Sequence, residues 1–440
     1  MNRILFLFLV LSLAVPTAGR EAAAQRLPLI RDAETERVIR DLAAPVFAAA
    51  GLSTDFVEVH LVNDSTLNAF VGGGQRIFIN TGLILEAEKP RQITAVIAHE
   101  TGHIAGGHLA RTREALRGAT AQSIAAVIIG AAAVVVGGGR SGAAVLGGGA
   151  QIAQRSLLLY SRTQESAADQ AALRYLQDIG QSGRGLVEVL EMLGTQEPLL
   201  RTSQDPYTRS HPLSRERLNA VTRIVAAAPE PAPDPQMAEA YARIRAKLQG
   251  YIERPRNTFR IYPESDTSIP AVYARALAHH QSGDTARALE AAGLLLDAEP
   301  DNPFFHELNG QIFYENGRLD EARHALEEAV RLAPHEALLR IGLAQTQIAL
   351  NEPGFNRDAI VHLEEAVRID RNSTAAWRSL AIAYGRDGRF GMSSLASAER
   401  AFLIGDHDSA TTHARRAEDQ LPVGSPGALR AGDILNAAGQ

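Results

Sequence analysis

The apolar side chains follow helical spacing over most of the chain. An apolar stretch runs from Ala95 to Ile104, and a second helical pattern covers residues 164–176. Residues 75–82 instead contain a short apolar run between polar residues, which we interpret as a β-strand. The carboxy-terminal half again places small and large apolar residues at helical intervals. These patterns predict a mainly α-helical protein with a small β-sheet in its amino-terminal half.

The carboxy-terminal half contains an internal repeat. The recurring positions are Gly283, Ala288 and Pro300, which return at one constant interval as Gly317, Ala322 and Pro334. Small residues let two antiparallel helices approach closely, and the proline ends the second helix, as in the tetratricopeptide repeat. Four or five such pairs over residues 271–440 form an α-solenoid that binds partners and carries no chemistry. We therefore expect a recruitment module, and a non-repeating helical bundle is the less favoured alternative.

A cluster of prolines separates this half from the rest of the chain. It consists of Pro229, Pro231, Pro233 and Pro235. Such a run excludes a helix or a central strand and favours a stiff extended linker. A short amphipathic helix follows around residues 237–251. We expect a linker with a connecting helix over 226–270, after an amino-terminal domain over 25–225, and we expect that domain to cleave an unstructured peptide without residues 271–440.

Residues 1–24 have the order of a secretory signal. Arg3 precedes an apolar run over residues 4–15 that is too short to span a bilayer comfortably, and Ala22 to Ala24 offer small residues for cleavage before Gln25. A retained membrane anchor is the alternative. A chain without cysteine suits an oxidising compartment because it needs no redox help to fold. We expect a cleaved signal peptide over 1–24 and a periplasmic location.

Charge and composition remove several classes of function. The chain has 44 basic and 50 acidic residues and a net charge of −6, so no basic excess is available to neutralise phosphates. We therefore expect no nucleic-acid partner. The absence of cysteine excludes disulfides, thiol catalysis and iron–sulfur clusters.

Residues 118–139 carry no charge and approach the length of a membrane span. Glycine clusters at 137–139 and 147–149 weaken a helix there. Three structures compete: a helical hairpin over the active site, a surface that dips into a membrane, and a true span. We favour a lid or a membrane-contact hairpin over 118–150.

Residues 99–103 read HETGH and carry the candidate chemistry. Positions i and i+4 share one face of a helix, so His99 and His103 can bind the same metal ion. Glu100 lies about 100° around the helix and can act as general base toward the attacking water. Unpaired His and Glu would be costly to bury within this apolar stretch, which strengthens the metal interpretation. We expect one Zn²⁺ per chain.

A catalytic zinc site needs a third protein ligand. A metzincin would place a histidine at position 109, which is Leu109. Glu165 and Asp169 again share one face of a helical stretch, at positions i and i+4. One carboxylate can bind the metal while the other accepts a hydrogen bond from a ligand histidine. We assign Glu165 as the third ligand and Asp169 as that supporting carboxylate; a solvated helix face is the alternative for both.

The sequences HETGH and ESAAD resemble the HExxH and ExxxD motifs of gluzincin zinc proteases of the Ste24 and HtpX-like kind. Residues 68–70 and 75–82 resemble this family's strand before the catalytic helix, and we expect an edge strand there that pairs with an extended substrate. The resemblance implies a zincin-like metalloprotease domain.

With its signal segment and repeats, the chain most resembles a periplasmic member of that family. This resemblance implies a zinc-dependent endopeptidase for quality control of unfolded or misassembled outer-membrane proteins. The repeats would recruit the substrate or the barrel-assembly machinery. A chaperone or scaffold for outer-membrane protein assembly, with latent or secondary protease activity, is the alternative.

A His-Pro motif of the same family matches His211 and Pro212, with Arg217 further along the chain. The resemblance implies that His211 occupies the open zinc position as a removable plug. A donor that stabilises the oxyanion is the alternative role, with Arg217 as another candidate for it. A structural histidine beside a proline turn also remains open. His60 and His108 have no such partner pattern and are interpreted as structural.

Overall fold

The computed structural model describes most of the chain from Leu27 onward. The described residues are 27–53, 57–72, 75–108, 110–111, 162–196, 215–227 and 230–438. The expected signal peptide (1–24), the apolar segment 118–150 and His211 lie outside them. No helix within the described ranges combines the length and the apolar character that a bilayer crossing demands.

A four-stranded sheet forms one layer of the amino-terminal half. Its strands are β1 (Leu29–Ile30), β2 (Glu58–Val62), β3 (Ala69–Gly72) and β4 (Arg76–Asn80). The spatial order is β1-β2-β4-β3, with β2 and β4 parallel and the other pairs antiparallel. The expectation of an edge strand is therefore confirmed for Ala69 and Phe70, which lie in the edge strand β3. It is wrong for residues 75–82, because β4 is paired on both sides.

Helices cover this sheet and build the core. They are α1 (Ala33–Ala49), α2 (Thr81–Glu86), α3 (Pro90–Ala105), α4 (described over 162–178), α5 (Arg184–Gln196) and α6 (Arg215–Ala226). Pro90 begins α3, where its missing N–H leaves no hydrogen bond unmade. Ile93, Val96 and Ile97 are buried in the core. Helix α3 is thus central, although its HETGH sequence is polar.

Two glycines set how closely the neighbouring helices approach α3. A Cβ on Gly102 would lie 3.0 Å from the carbonyl oxygen of Ala168 on α4. A Cβ on Gly185 at the start of α5 would lie 2.2 Å from the carbonyl oxygen of Arg91 on α3. Helix α4 therefore packs directly on the face of α3 that carries the histidines, which a larger residue at position 102 would prevent.

The predicted connecting helix is part of the core. Helix α7 (Pro235–Ile252) buries Ile244 and Leu248 in the same apolar cluster as α3. The hydroxyl of the buried Tyr241 donates to the carbonyl oxygens of Ile84 and Ala87, at 3.1 and 3.0 Å. Residues 230–234 before this helix form neither helix nor strand, as the prolines predict. The segment 226–270 thus contains structure that the amino-terminal core needs.

The carboxy-terminal half is an α-solenoid of five helix pairs, as the repeat predicts. After α8 (Pro255–Ile261), the pairs are α9 (Ile269–Gln281) with α10 (Thr285–Ala298), α11 (Pro303–Glu315) with α12 (Leu319–Leu332), α13 (Ala337–Leu350) with α14 (Pro353–Ile369), α15 (Thr374–Arg386) with α16 (Phe390–Leu403), and α17 (His407–Gln420) with α18 (Pro426–Ala438). Gly283 and Gly317 link the helices of the first two pairs with φ of 78° and 74°, a conformation that favours glycine.

A buried ionic cluster joins the two halves. We call Asp32, Glu34, Lys247, Tyr273 and Glu307 the junction cluster. The Lys247 ammonium lies 2.5 Å from Asp32 and 3.6 Å from both Glu34 and Glu307, and the Tyr273 hydroxyl donates to Glu34 at 2.9 Å. Its members come from the turn before α1 and from α1, α7, α9 and α11. The cluster therefore spans the amino-terminal domain, the connecting helix and the first two repeats.

This junction argues against the expectation that residues 271–440 can be removed without damage to the amino-terminal domain. Removal would take away Tyr273 and Glu307 and would expose Glu34, which is 1% exposed in the full chain. It would also uncover α7, since Gly250 lies so close to α9 that a Cβ there would be 2.7 Å from the carbonyl oxygen of Ala274. Functional experiments on this protein therefore need the full chain.

Candidate metal centre

Helices α3 and α4 bring three candidate metal ligands together. The Nε2 atoms of His99 and His103 are 3.1 Å apart. The two carboxylate oxygens of Glu165 lie 3.3 Å from His99 Nε2 and 3.4 Å from His103 Nε2. Four ligands around a tetrahedral zinc ion at about 2.0–2.1 Å are separated by about 3.3–3.4 Å. The three side chains therefore fit a divalent metal ion at the point that their ligand atoms face.

Burial sets the electrostatics of this site. His99 and Glu165 are 1% and 2% exposed, and the side chain of His103 is 11% exposed. Burial alone would lower the pKa of His99, but hydrogen bonds to Asp169 and Glu165 outweigh it and raise the pKa to about 10. Burial lowers the pKa of His103. The buried carboxylates of Glu165 and Asp169 thus stabilise a positive charge at the imidazole rings.

Asp169 supports the first histidine from behind. Its Oδ1 lies 3.0 Å from His99 Nδ1, the ring nitrogen that points away from Glu165. Burial would raise the pKa of Asp169, but hydrogen bonds from Arg217 and His99 lower it to about 2. An ionised carboxylate at this position favours the tautomer of His99 whose Nε2 carries no proton and can bind a metal.

Arg217, on α6, lies against both carboxylates and is 6% exposed. Its Nε and Nη2 donate to the two oxygens of Asp169 at 2.7 and 2.9 Å, and its Nη1 lies 3.0 Å from Glu165 Oε2. A guanidinium group suits such two-point binding because its donors are fixed in one plane. This geometry favours a role in positioning Asp169 and Glu165 over the oxyanion role considered from the sequence.

Glu100, the candidate general base, is fully buried on α3 beside His99. Burial lowers the pKa of His103, and the charge of Glu100 raises it, so the two side chains interact. The structure therefore places Glu100 close to the candidate ligands on α3. His211 lies outside the described residues, and so does the apolar segment 118–150. The zinc plug and the lid consequently stay predictions.

The sequence pattern predicts a structural role for His108, but the residue lies beside the site. Its Nδ1 is 2.9 Å from His103 Nδ1, and its side chain is buried. Burial, followed by the charges of His103 and Arg111, lowers the pKa of His108 to about 4. The signal that could have indicated this contact is the pair of glycines at 106–107, which ends α3 immediately before the histidine. His60, in contrast, lies in β2 and pairs with Glu58.

Comparisons with known proteins address the same two halves. Residues 29–225 match the model of Peptidase family M48, and residues 313–354 match the model of the tetratricopeptide repeat. The beta-barrel assembly-enhancing protease of Escherichia coli (strain K12) is 25% identical over 408 residues, which cover 90% of this chain and 82% of that protein. The protein of the same name from Yersinia pestis is 24% identical over the same shares. A mitochondrial metalloendopeptidase of Schizosaccharomyces pombe is 35% identical over 65 residues, 15% of this chain and 19% of that protein.

Proposed function

We propose that this metallopeptidase, whose amino-terminal half matches Peptidase family M48 and whose carboxy-terminal half contains tetratricopeptide repeats, is a zinc-dependent endopeptidase of the periplasm. The observation that carries this proposal is the convergence of His99, His103 and Glu165 at tetrahedral spacing. Two histidines and one carboxylate, with the remaining position left for water or substrate, form a ligand set typical of catalytic zinc.

His99 and His103 would hold the metal through Nε2, and Glu165 through its carboxylate. Bound zinc would supply Lewis-acid polarisation of the scissile carbonyl and would lower the pKa of water. Glu100 would take the proton from the attacking water and pass it to the leaving amine as the peptide bond breaks. Its burial beside the ligands suits a base that acts on a partly desolvated water.

The substrates that we propose are unfolded or misassembled outer-membrane proteins. The relatives named as beta-barrel assembly-enhancing proteases support this, because the similarity covers 90% of the chain and both halves. The five-pair solenoid supports a recruitment role, in which it would bind the substrate or the barrel-assembly machinery. The signal-like order of residues 1–24 supports the periplasmic location.

Removal of the metal tests the proposal directly. A denatured outer-membrane β-barrel protein, incubated with the full chain, should be cleaved at internal sites. We expect 1,10-phenanthroline to abolish this cleavage, and one equivalent of zinc, added after the chelator is dialysed away, to restore it. Product sizes are followed by mass spectrometry. Cleavage that persists in the chelator would exclude a metallopeptidase mechanism. Suppressed aggregation of the substrate without cleavage, at full zinc occupancy, would favour the chaperone alternative.

Arg217→Lys separates the two roles considered for this arginine. Lysine keeps the charge but cannot bind both oxygens of Asp169 in one plane, so the support of His99 and Glu165 weakens. We expect zinc affinity to fall by about 10–100-fold. The affinity is measured by competition with a chromophoric chelator. Arg223→Lys, at an exposed position of the same helix, is the matched control and should bind zinc as wild type does. Unchanged affinity with a reduced kcat would support the oxyanion role instead.

A further inference from the structure

The chain reverses direction directly after α3 and returns an imidazole to the metal site. Gly106 ends the helix, and Gly107 follows with a φ of 61°, in the left-handed region that favours glycine. The side chain of His108 then folds back over the end of α3. A Cβ on Gly106 would lie 2.5 Å from His108 Nε2, so only glycine at this position leaves room for the ring.

The returned ring meets the second candidate ligand edge-on. The ring centroids of His103 and His108 are 4.9 Å apart, and the planes cross at 79°. Their Nδ1 atoms are 2.9 Å apart, a hydrogen-bond distance that requires one nitrogen to donate and the other to accept. The opposite nitrogen of His103, Nε2, faces Glu165 and His99 at 3.4 and 3.1 Å. His103 can therefore bind a metal through Nε2 only if its proton is on Nδ1.

We propose that His108 is a positioning residue whose Nδ1 accepts a hydrogen bond from the Nδ1–H of His103. This bond would fix the tautomer and the ring orientation in which His103 Nε2 points at the metal. The inference rests on the proposed metal role of His103. His99 is supported by a carboxylate, Asp169, at 3.0 Å, whereas His103 is supported by a neutral imidazole. The two ligand histidines are thus held by acceptors of different charge.

Two substitutions at position 108 separate hydrogen bonding from packing. In His108→Leu the acceptor is lost, whereas in His108→Asn the side-chain oxygen can take the place of Nδ1. We expect His108→Leu to weaken zinc binding by about 10–100-fold and His108→Asn to stay near wild type. Zinc affinity of the full chain is measured by chelator competition. The visible spectrum of the cobalt-substituted protein should change in His108→Leu and return in His108→Asn.

Gly106→Ala tests the same contact without removing the histidine. Its backbone φ of −70° is accessible to alanine, but the added Cβ would displace the His108 ring. We expect a loss of zinc affinity similar to that of His108→Leu. His60→Leu, in β2 and outside the site, is the control and should leave zinc affinity and the cobalt spectrum unchanged.

Wild-type affinity and spectrum in both His108→Leu and Gly106→Ala would overturn the inference, as would His108→Asn behaving like His108→Leu. If the wild-type chain itself fails to bind zinc, the proposed function fails as well. Weak binding confined to the variants leaves that function intact. Should His108→Leu not fold, which circular dichroism of the metal-free chain reports, the comparison of Gly106→Ala with His108→Asn decides the question.

Discussion

Glu100→Gln is expected to lower kcat/KM for peptide hydrolysis by about 10²–10⁴-fold and to leave zinc affinity near wild type. The carboxylate is fully buried beside the three candidate ligands but is not one of them. Glutamine keeps the size and the hydrogen-bonding capacity of the side chain but cannot accept and return a proton. Hydrolysis is followed with an internally quenched peptide, and zinc content is measured on the same samples.

The matched control for this substitution is Glu86→Gln, at an exposed position at the end of α2. It removes the same charge outside the three candidate metal ligands and should leave both measurements unchanged. Full activity in Glu100→Gln would exclude Glu100 as the base. A parallel loss of zinc would instead show that the residue acts through the metal site.

Lys247→Met is expected to lower the free energy of unfolding by about 3–5 kcal/mol, because it removes a cation that lies within 3.6 Å of three carboxylates. Lys247 pairs with Asp32, Glu34 and Glu307, and the pKa of Lys247 is raised well above its ordinary value. Methionine fills a similar volume without a charge. Urea unfolding of the full chain, followed by circular dichroism, gives the difference. A change below about 1 kcal/mol would contradict the structural importance of the junction cluster.

Glu307→Gln is the companion variant, since it removes a negative charge from the same junction cluster and is expected to change stability in the opposite direction. Burial raises the pKa of Glu307 from 4.5 to about 7; Lys247 opposes this shift, while Asp32 and Glu34 add to it. The folded chain therefore holds this proton more tightly than the unfolded chain does. The stability that the protonated Glu307 contributes to the folded chain is lost as the pH rises from about 4.5 to about 7. Stability of the variant relative to wild type should increase over that window.

The sequence predicted the candidate ligands because their chemistry is local. The spacing of His99 and His103 places both on one face of a helix, and the spacing of Glu165 and Asp169 does the same on another. The constant interval of the repeat likewise identified the solenoid without tertiary information. The close approach of α3 and α4 at Gly102, in contrast, needed the structure, because it depends on how the two helices pack.

The sheet order and the junction were beyond the reach of local patterns. β4 lies inside the sheet because β2, from an earlier part of the chain, pairs with it in parallel. The consecutive apolar residues Ile77, Phe78 and Ile79 are typical of a strand buried on both faces, but they do not identify the strands that pair with it. Similarly, the amphipathic pattern of α7 indicates that one face is buried but does not identify the surfaces that cover it. The contact between His103 and His108 depends on a turn at Gly107 and has no periodic signature.

Helix α7 contributes to the amino-terminal core through Tyr241 and packs on the first repeat at Gly250. One helix is thereby shared by the two halves, and its packed side chains set how the first repeat lies on the amino-terminal core. If the repeats bind the substrate as proposed, the bound polypeptide would have to extend over a distance set by this packing before it reached the metal centre. The cleavage site would then depend more on its distance along the substrate from the bound segment than on the side chains next to the scissile bond.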